Sequence, residues 1–210
     1  MLGFYNYTVI LTYMSLFSAV TGITLAFSEN IPGHTFWAVF CLLFSGFCDM
    51  FDGKVAKTMK RTEDEKKFGI QIDSLSDVIA FGVLPAAIGW SIGLREWWGI
   101  LIMATFVLAA LIRLAYFNVM EEKRQKKTDE VRKEYTGLPV TTDALIFPLV
   151  YALRGLFNAN FHIFYAFILL LVAFLFLYKF KVVKPKLKGM IIMTIVGIIE
   201  LLLLIWLMKW

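Results

Sequence analysis

Seven apolar stretches follow one another along this chain, at 8–27, 34–51, 69–93, 96–118, 139–157, 161–179 and 189–209. Each is close to the ~20 residues a helix needs to cross a bilayer. In hydrocarbon a segment must satisfy its own backbone hydrogen bonds, so helices are the expected form. With 60% hydrophobic residues and 20 Phe in 210 positions, little chain is left for a soluble domain. The expectation is an all-α, polytopic transmembrane helix bundle of about six to eight spans, forming a single domain over residues 1–210. The fifth stretch is the weakest, because Pro139, Pro148 and Arg154 interrupt it. It reads as a kinked helix, two half-helices or a re-entrant segment. No basic segment precedes the first stretch and no small-residue cleavage site follows it, so it reads as a mature helix.

The basic residues set an orientation. Segments 54–67, 119–137 and 179–188 hold seventeen of the 21 Lys and Arg, and in a seven-span reading all three lie on one side. The opposite loops 28–33 and 158–160 hold none, and the third carries only Arg95. The positive-inside rule makes the basic side cytoplasmic, with the N-terminus inside and the C-terminus outside. Trp97, Trp98, Trp206 and Trp210 then fall at the outer interface. This division accounts for the net charge of +5. Nucleic-acid binding is not expected from basic residues scattered over three membrane loops, whereas attraction to anionic membrane lipids is.

Cys41 and Cys48 share one apolar run without zinc-site spacing, and His34 and His162 lie far apart at loop ends. Neither pair points to zinc or to a His-based dyad. The aspartates do point to chemistry. Asp49 and Asp52 end the second stretch at i, i+3, and Asp73 and Asp77 open the third at i, i+4. Each pair projects from one face of its helix. Both pairs reach the same cytoplasmic depth, so four carboxylates converge and repel unless a cation intervenes. An all-oxygen donor set favours a hard divalent metal, Mg²⁺, Mn²⁺ or Ca²⁺. Two ions shared by four carboxylates suit a diphosphate substrate. Gly53 and Gly69 lie near these aspartates, where missing side chains admit a ligand or let helices pack.

The string Asp49-Met-Phe-Asp52-Gly53-Lys-Val-Ala56-Lys57, with Gly69-Ile-Gln-Ile-Asp73-Ser-Leu-Ser-Asp77, resembles the signature of the CDP-alcohol phosphatidyltransferase family, D-x-x-D-G-x-x-A-R then G-x-x-x-D-x-x-x-D. Lys57 replaces the usual Arg, and the connecting segment Thr58–Phe68 is two or three residues longer than usual. The resemblance implies that Asp49, Asp52 and Asp73 ligate two divalent ions, Mg²⁺ or Mn²⁺, on the diphosphate of a CDP-activated lipid. Asp77 is implied as both ligand and general base. Gly53, Ala56, Lys57 and Gly69 are implied at the CDP-lipid, with Lys57 as a point charge on the diphosphate. A homodimer is also implied.

Asp73-Ser-Leu-Ser-Asp77 followed by Phe81-Gly82-Val-Leu-Pro85 is similar to the bacterial and archaeal phosphatidylserine synthase branch, as are Arg113-Leu-Ala-Tyr-Phe-Asn118 and Gly137-Leu-Pro139. That resemblance covers roughly residues 45–140. It implies transfer of a phosphatidyl group from CDP-diacylglycerol to L-serine in a prokaryotic cell membrane, with Arg113 and Asn118 at the acceptor or a phosphate. Asp143 reads as a polar bundle residue or as part of the acceptor pocket. Two alternatives compete with this reading. A phosphorylated acceptor, glycerol phosphate or inositol phosphate, would need additional basic residues at the site. A transporter with a carboxylate cation site is disfavoured, since the aspartates sit at one interface and no repeat is visible.

Overall fold

The computed structural model describes residues 3–125, 134–183 and 187–208. Its elements run α1 Ile10–Ala26, α2 His34–Val55, α3 Glu63–Asp77, α4 Leu84–Ile92, α5 Trp97–Gln125, β1 Glu134–Thr136, α6 Asp143–Ala152, α7 Arg154–Phe157, α8 Phe161–Leu177, β2 Lys181–Val183 and α9 Leu187–Met208. Among the described residues, five helical stretches are long and apolar enough to cross a membrane: Tyr7–Ala26, His34–Val55, Glu63–Ile92, Trp97–Arg124 and Leu187–Leu207. Val140–Ala152 and Phe161–Leu177 are apolar but shorter. The seven follow the order of the seven expected runs, and the architecture is an integral-membrane helix bundle.

Local chemistry moves two boundaries. α2 continues past both of its aspartates to Val55, and a 3₁₀ turn, Ala56–Thr58, closes it. α3 begins at Glu63, ahead of the apolar run expected from 69. The Thr62 hydroxyl accepts from the Glu65 N–H at 3.3 Å, and the Glu65 carboxylate accepts the Thr62 N–H at 2.8 Å. This capping box starts the helix on polar residues that hydropathy passes over. Glu63, Asp64 and Glu65 also place negative charge at the positive end of the helix dipole.

Between α3 and α4 the helix widens into a π turn over Val78–Val83, and the Leu84 N–H reaches the Ile79 carbonyl. Pro85 follows at once and offers no N–H to the preceding turn. The fifth stretch is broken: a 3₁₀ turn leads into α6, Pro148 lies inside it, and α7 is a separate short helix after Leu153.

α1 lies along α2, and α5 lies along α8. Phe81, Phe106, Phe147 and Tyr165 are fully buried at the centre. Ring centroids are 5.6 Å apart for Phe106–Phe147 and 5.3 Å for Phe147–Tyr165. The Tyr165 hydroxyl donates to the Pro85 carbonyl at 2.9 Å, which satisfies its polar end inside the core. α2 and α6 cross closely at Gly46, where a Cβ would lie 2.2 Å from that of Ala144.

A short two-stranded ribbon accompanies the helices of the all-α bundle. β1 and β2 pair antiparallel as a two-stranded ribbon, Tyr135 opposite Val182, at the end where α5 finishes and α9 begins. Two connections that carry many of the chain's basic residues are thereby joined at the end of the bundle that holds the aspartates.

Candidate active site

The last turns of α2 carry Asp49 and Asp52, and the last turn of α3 carries Asp73 and Asp77. One carboxylate oxygen each from Asp49, Asp52 and Asp73 lies within 4.8 Å of the others. Across the helix pair, Asp49 lies close to Asp77, and Asp52 to Asp73. Asp77 is buried and the other three are partly buried. The ion pairs seen among the described residues, Lys66–Glu63, Arg95–Glu29 and Arg124–Glu121, involve none of the four. Asp73 Oδ1 is buried without a hydrogen-bond partner among the described residues. An all-carboxylate set with an orphaned buried oxygen fits a hard divalent cation. Among the described residues no nitrogen or sulfur ligand joins the cluster, so zinc is a poor match.

These aspartates line one wall of a cavity of about 960 Å³. Gly53 and Lys54 continue that wall. Arg113, Leu114 and Phe117 of α5 and the stretch Leu138–Thr142 also line the cavity. Away from the aspartates the cavity becomes an apolar groove between α2, α6 and α9. There α9 presents Leu187, Met190, Thr194, Gly197 and Leu201 in one helical stripe. From Leu187 to Leu201 that stripe is about 21 Å long at 1.5 Å per residue.

Arg113 is only 6% exposed, and its Nε donates to the Leu138 carbonyl at 3.0 Å. Its guanidinium lies 5.5 Å from the Phe117 ring centre. The Leu138 carbonyl is itself held in place. Gly137 has φ +76°, its N–H donates to the Phe180 carbonyl at 2.7 Å, and a Cβ there would approach the Phe176 carbonyl oxygen to 3.1 Å. Only glycine fits that backbone comfortably. The ribbon thus fixes the loop, and the loop aims the arginine.

The remaining expected residues separate. Gly53 lines the cavity with open space around it. Ala56 begins the turn after α2, and Gly69 faces Arg61 at 3.1 Å from a would-be Cβ; neither is part of the cavity lining. The Lys57 side chain lies outside the described residues. Asn118, expected at the acceptor or a phosphate, instead turns to α3. Its Nδ2 donates to the Ser74 hydroxyl at 2.9 Å, and that hydroxyl lies 3.1 Å from Asn118 Oδ1. Asp143 is fully buried at the head of α6, outside the cavity lining, with no partner for either oxygen among the described residues.

Sequence reasoning passed over three contributors. Lys54 reaches the cavity beside Asp52, and a cation in the signature could have flagged it. Thr12 of α1 donates to Asp52 Oδ2 at 3.4 Å and carries no motif. The α9 stripe is indistinguishable in sequence from any lipid-facing helix.

A profile of the CDP-alcohol phosphatidyltransferase family matches residues 5–206. The chain belongs to that family. Among curated relatives of this chain, the Saccharomyces cerevisiae CDP-diacylglycerol–serine O-phosphatidyltransferase is 37% identical over 125 residues, 59% of this chain and 44% of the yeast protein. The archaetidylserine synthase of Methanothermobacter thermautotrophicus is 32% identical over 178 residues, 84% of this chain and 70% of that protein. A Helicobacter pylori CDP-diacylglycerol–serine O-phosphatidyltransferase is 31% identical over 147 residues, 68% of this chain and 55% of the relative. The chain therefore spans about half the length of the yeast and Helicobacter proteins. Family membership rests on the profile match across nearly the whole chain.

Proposed function

We propose that this CDP-alcohol phosphatidyltransferase transfers a phosphatidyl group from a CDP-activated lipid, CDP-diacylglycerol or its ether counterpart, to the hydroxyl of L-serine and releases CMP. The observation that carries the reading is the shape of the cavity, in which four aspartates stand at the mouth of an apolar groove. A diphosphate beside the aspartates would leave its lipid chains running into that groove. The relatives support serine as the acceptor, since two are named CDP-diacylglycerol–serine O-phosphatidyltransferases and one an archaetidylserine synthase.

Asp49, Asp52, Asp73 and Asp77 would hold the divalent metal, Mg²⁺ or Mn²⁺ as two ions, which would supply positive charge for the diphosphate and for the departing CMP. Asp77, the most buried of the four, takes the proton from the serine hydroxyl as its oxygen bonds to the lipid-side phosphorus. The bond from that phosphorus to CMP breaks, and the proton remains on the carboxyl. Gly53 leaves room for the nucleotide, and Lys54 and Lys57 attract its diphosphate. Arg113 receives the serine carboxylate, because its planar fork matches two carboxylate oxygens while Leu138 holds it from behind. Lys54 and Arg113 are the basic residues lining the cavity among the described residues. The whole of 1–210 then acts as one membrane domain, with the basic end cytoplasmic, and works as a homodimer.

Purified protein given CDP-lipid, a divalent cation and one acceptor at a time tests the reading. CMP release is expected with serine and only with metal present. Release with glycerol phosphate or inositol phosphate but not serine would overturn the acceptor and keep the chemistry. No release with any acceptor would overturn the transferase itself.

A further inference from the structure

Two serines stand between the aspartates of α3, and each bonds to a different neighbouring helix. Ser74 pairs with Asn118 of α5 through the 2.9 and 3.1 Å contacts described above. Ser76 donates to the Thr12 carbonyl of α1 at 3.3 Å. On a helix at about 100° per residue, Asp73 and Asp77 share one face. Ser74 then lies about 80° to one side of it, Ser76 about 80° to the other, and Leu75 points about 180° away. The structure follows this wheel, since Leu75 is 67% exposed on the reverse face and Ser76 is buried.

We propose that Ser74 with Asn118, and Ser76 with Thr12, are positioning residues that lock the rotation of α3 so that Asp73 and Asp77 face Asp49 and Asp52. The proposal rests on the reading of the four aspartates as a metal site.

The lock has mechanical work to do. Two carboxylate pairs facing each other repel until a cation arrives, and the simplest relief is for α3 to roll. A carboxylate about 5 Å from the helix axis moves about 2.6 Å in a 30° roll. That exceeds a whole Mg–O distance of about 2.1 Å. Backbone packing alone opposes such a roll weakly, because the reverse face of α3 at Leu75 is open. Hydrogen bonds on both flanks oppose it in both directions. Thr12 binds the two pairs together, since its carbonyl holds Ser76 while its hydroxyl donates to Asp52. The Ser74–Asn118 contacts are the shorter ones and carry more of the restraint. Residues that orient metal ligands typically contribute about 10–100-fold in affinity or activity.

The experiment titrates Mn²⁺ into purified full-length protein without substrate, reading free Mn²⁺ by its EPR signal, and measures kcat and KM against Mn²⁺ in parallel. Ser74→Ala and Asn118→Ala should each weaken Mn²⁺ binding about tenfold. The double variant should be no weaker than either single one, because both remove the same restraint. Ser76→Ala should cost about threefold, given its longer contact. Ser74→Thr keeps the hydroxyl and should restore binding, and Leu75→Ala on the reverse face should leave it unchanged. Excess Mn²⁺ should recover much of the lost kcat with the serine KM unmoved. Folded Ser74→Ala and Asn118→Ala variants with Mn²⁺ affinity and metal dependence within twofold of wild type would overturn the proposal alone. Failure of the wild-type protein to bind Mn²⁺ would overturn the metal reading and the proposal with it.

Discussion

The part of the chain that ends at Asn118 and the part that begins at Leu138 line the same cavity with different chemistry. The first supplies four aspartates, Lys54 and Arg113, on helices tied together by hydrogen bonds between Thr12, Asp52, Ser76, Ser74 and Asn118. The second supplies a loop that aims Arg113 and an apolar wall, in which Thr141, Thr142 and Thr194 are the polar members. Burial differs as well: 61% of the apolar window in Glu63–Ile92 is inside the bundle, against 11% of that in Leu187–Leu207. Two of the aspartates thus ride on the most buried of the long helices, and the apolar wall belongs to the least buried one, the arrangement the proposed long-chain substrate requires. Two further buried carboxylates lie outside the cavity. Asp143 and Glu200 each have buried oxygens without a hydrogen-bond partner among the described residues, yet neither lines the cavity on which the four aspartates converge.

The sharpest way to break this division is Asp77→Asn. It should lower turnover by about 10³-fold while CDP-lipid still binds, measured by CMP release and by equilibrium lipid binding. Near-normal turnover would remove Asp77 from the role of base. Next comes Arg113→Lys, which keeps the charge and loses the fork. The serine KM should rise about 10–100-fold with the CDP-lipid KM nearly constant, and equal rises in both would move Arg113 to the diphosphate.

Gly137→Ala tests whether the second part truly governs the first. At φ +76° and 3.1 Å from a carbonyl oxygen, the added methyl costs about 1–2 kcal/mol and displaces the Leu138 carbonyl behind Arg113. A lower melting temperature together with a serine KM raised about fivefold is expected, and a fall in melting temperature alone would show that the loop does not aim the arginine. Gly53→Ala provides the contrast. Open space surrounds it, so stability should hold while the CDP-lipid KM rises a few-fold. The smallest effect is expected from Gly197→Leu in the α9 stripe, about two- to threefold on KM for a long-chain CDP-lipid and none for a short-chain one. Equal effects on both would place the lipid chains elsewhere.

Much of this was legible in the sequence, and the reasons are local. Hydropathy marked the seven helical stretches because in a bilayer each segment must satisfy its own backbone. The i, i+3 and i, i+4 spacing of the aspartates put each pair on one helical face before any tertiary contact was known. The α3 start was missed, although its Thr62/Glu65 capping box was visible, because hydropathy weighs polar residues as loop. The β1–β2 ribbon was missed because pairing between segments about 45 residues apart leaves no period in either.

What the sequence determined by itself was a membrane helix bundle with four carboxylates at its basic end, since both follow from periodicities within single helices. Only the tertiary structure decided which side chains meet. It turned Asn118 to Ser74 and away from the cavity, brought Thr12 to Asp52 across forty residues, and made α9 the wall of the groove. Those pairings depend on how whole helices are rotated and set against one another. In a chain this apolar, nearly every helix face is hydrophobic, so the pattern along any one helix does not specify its partner.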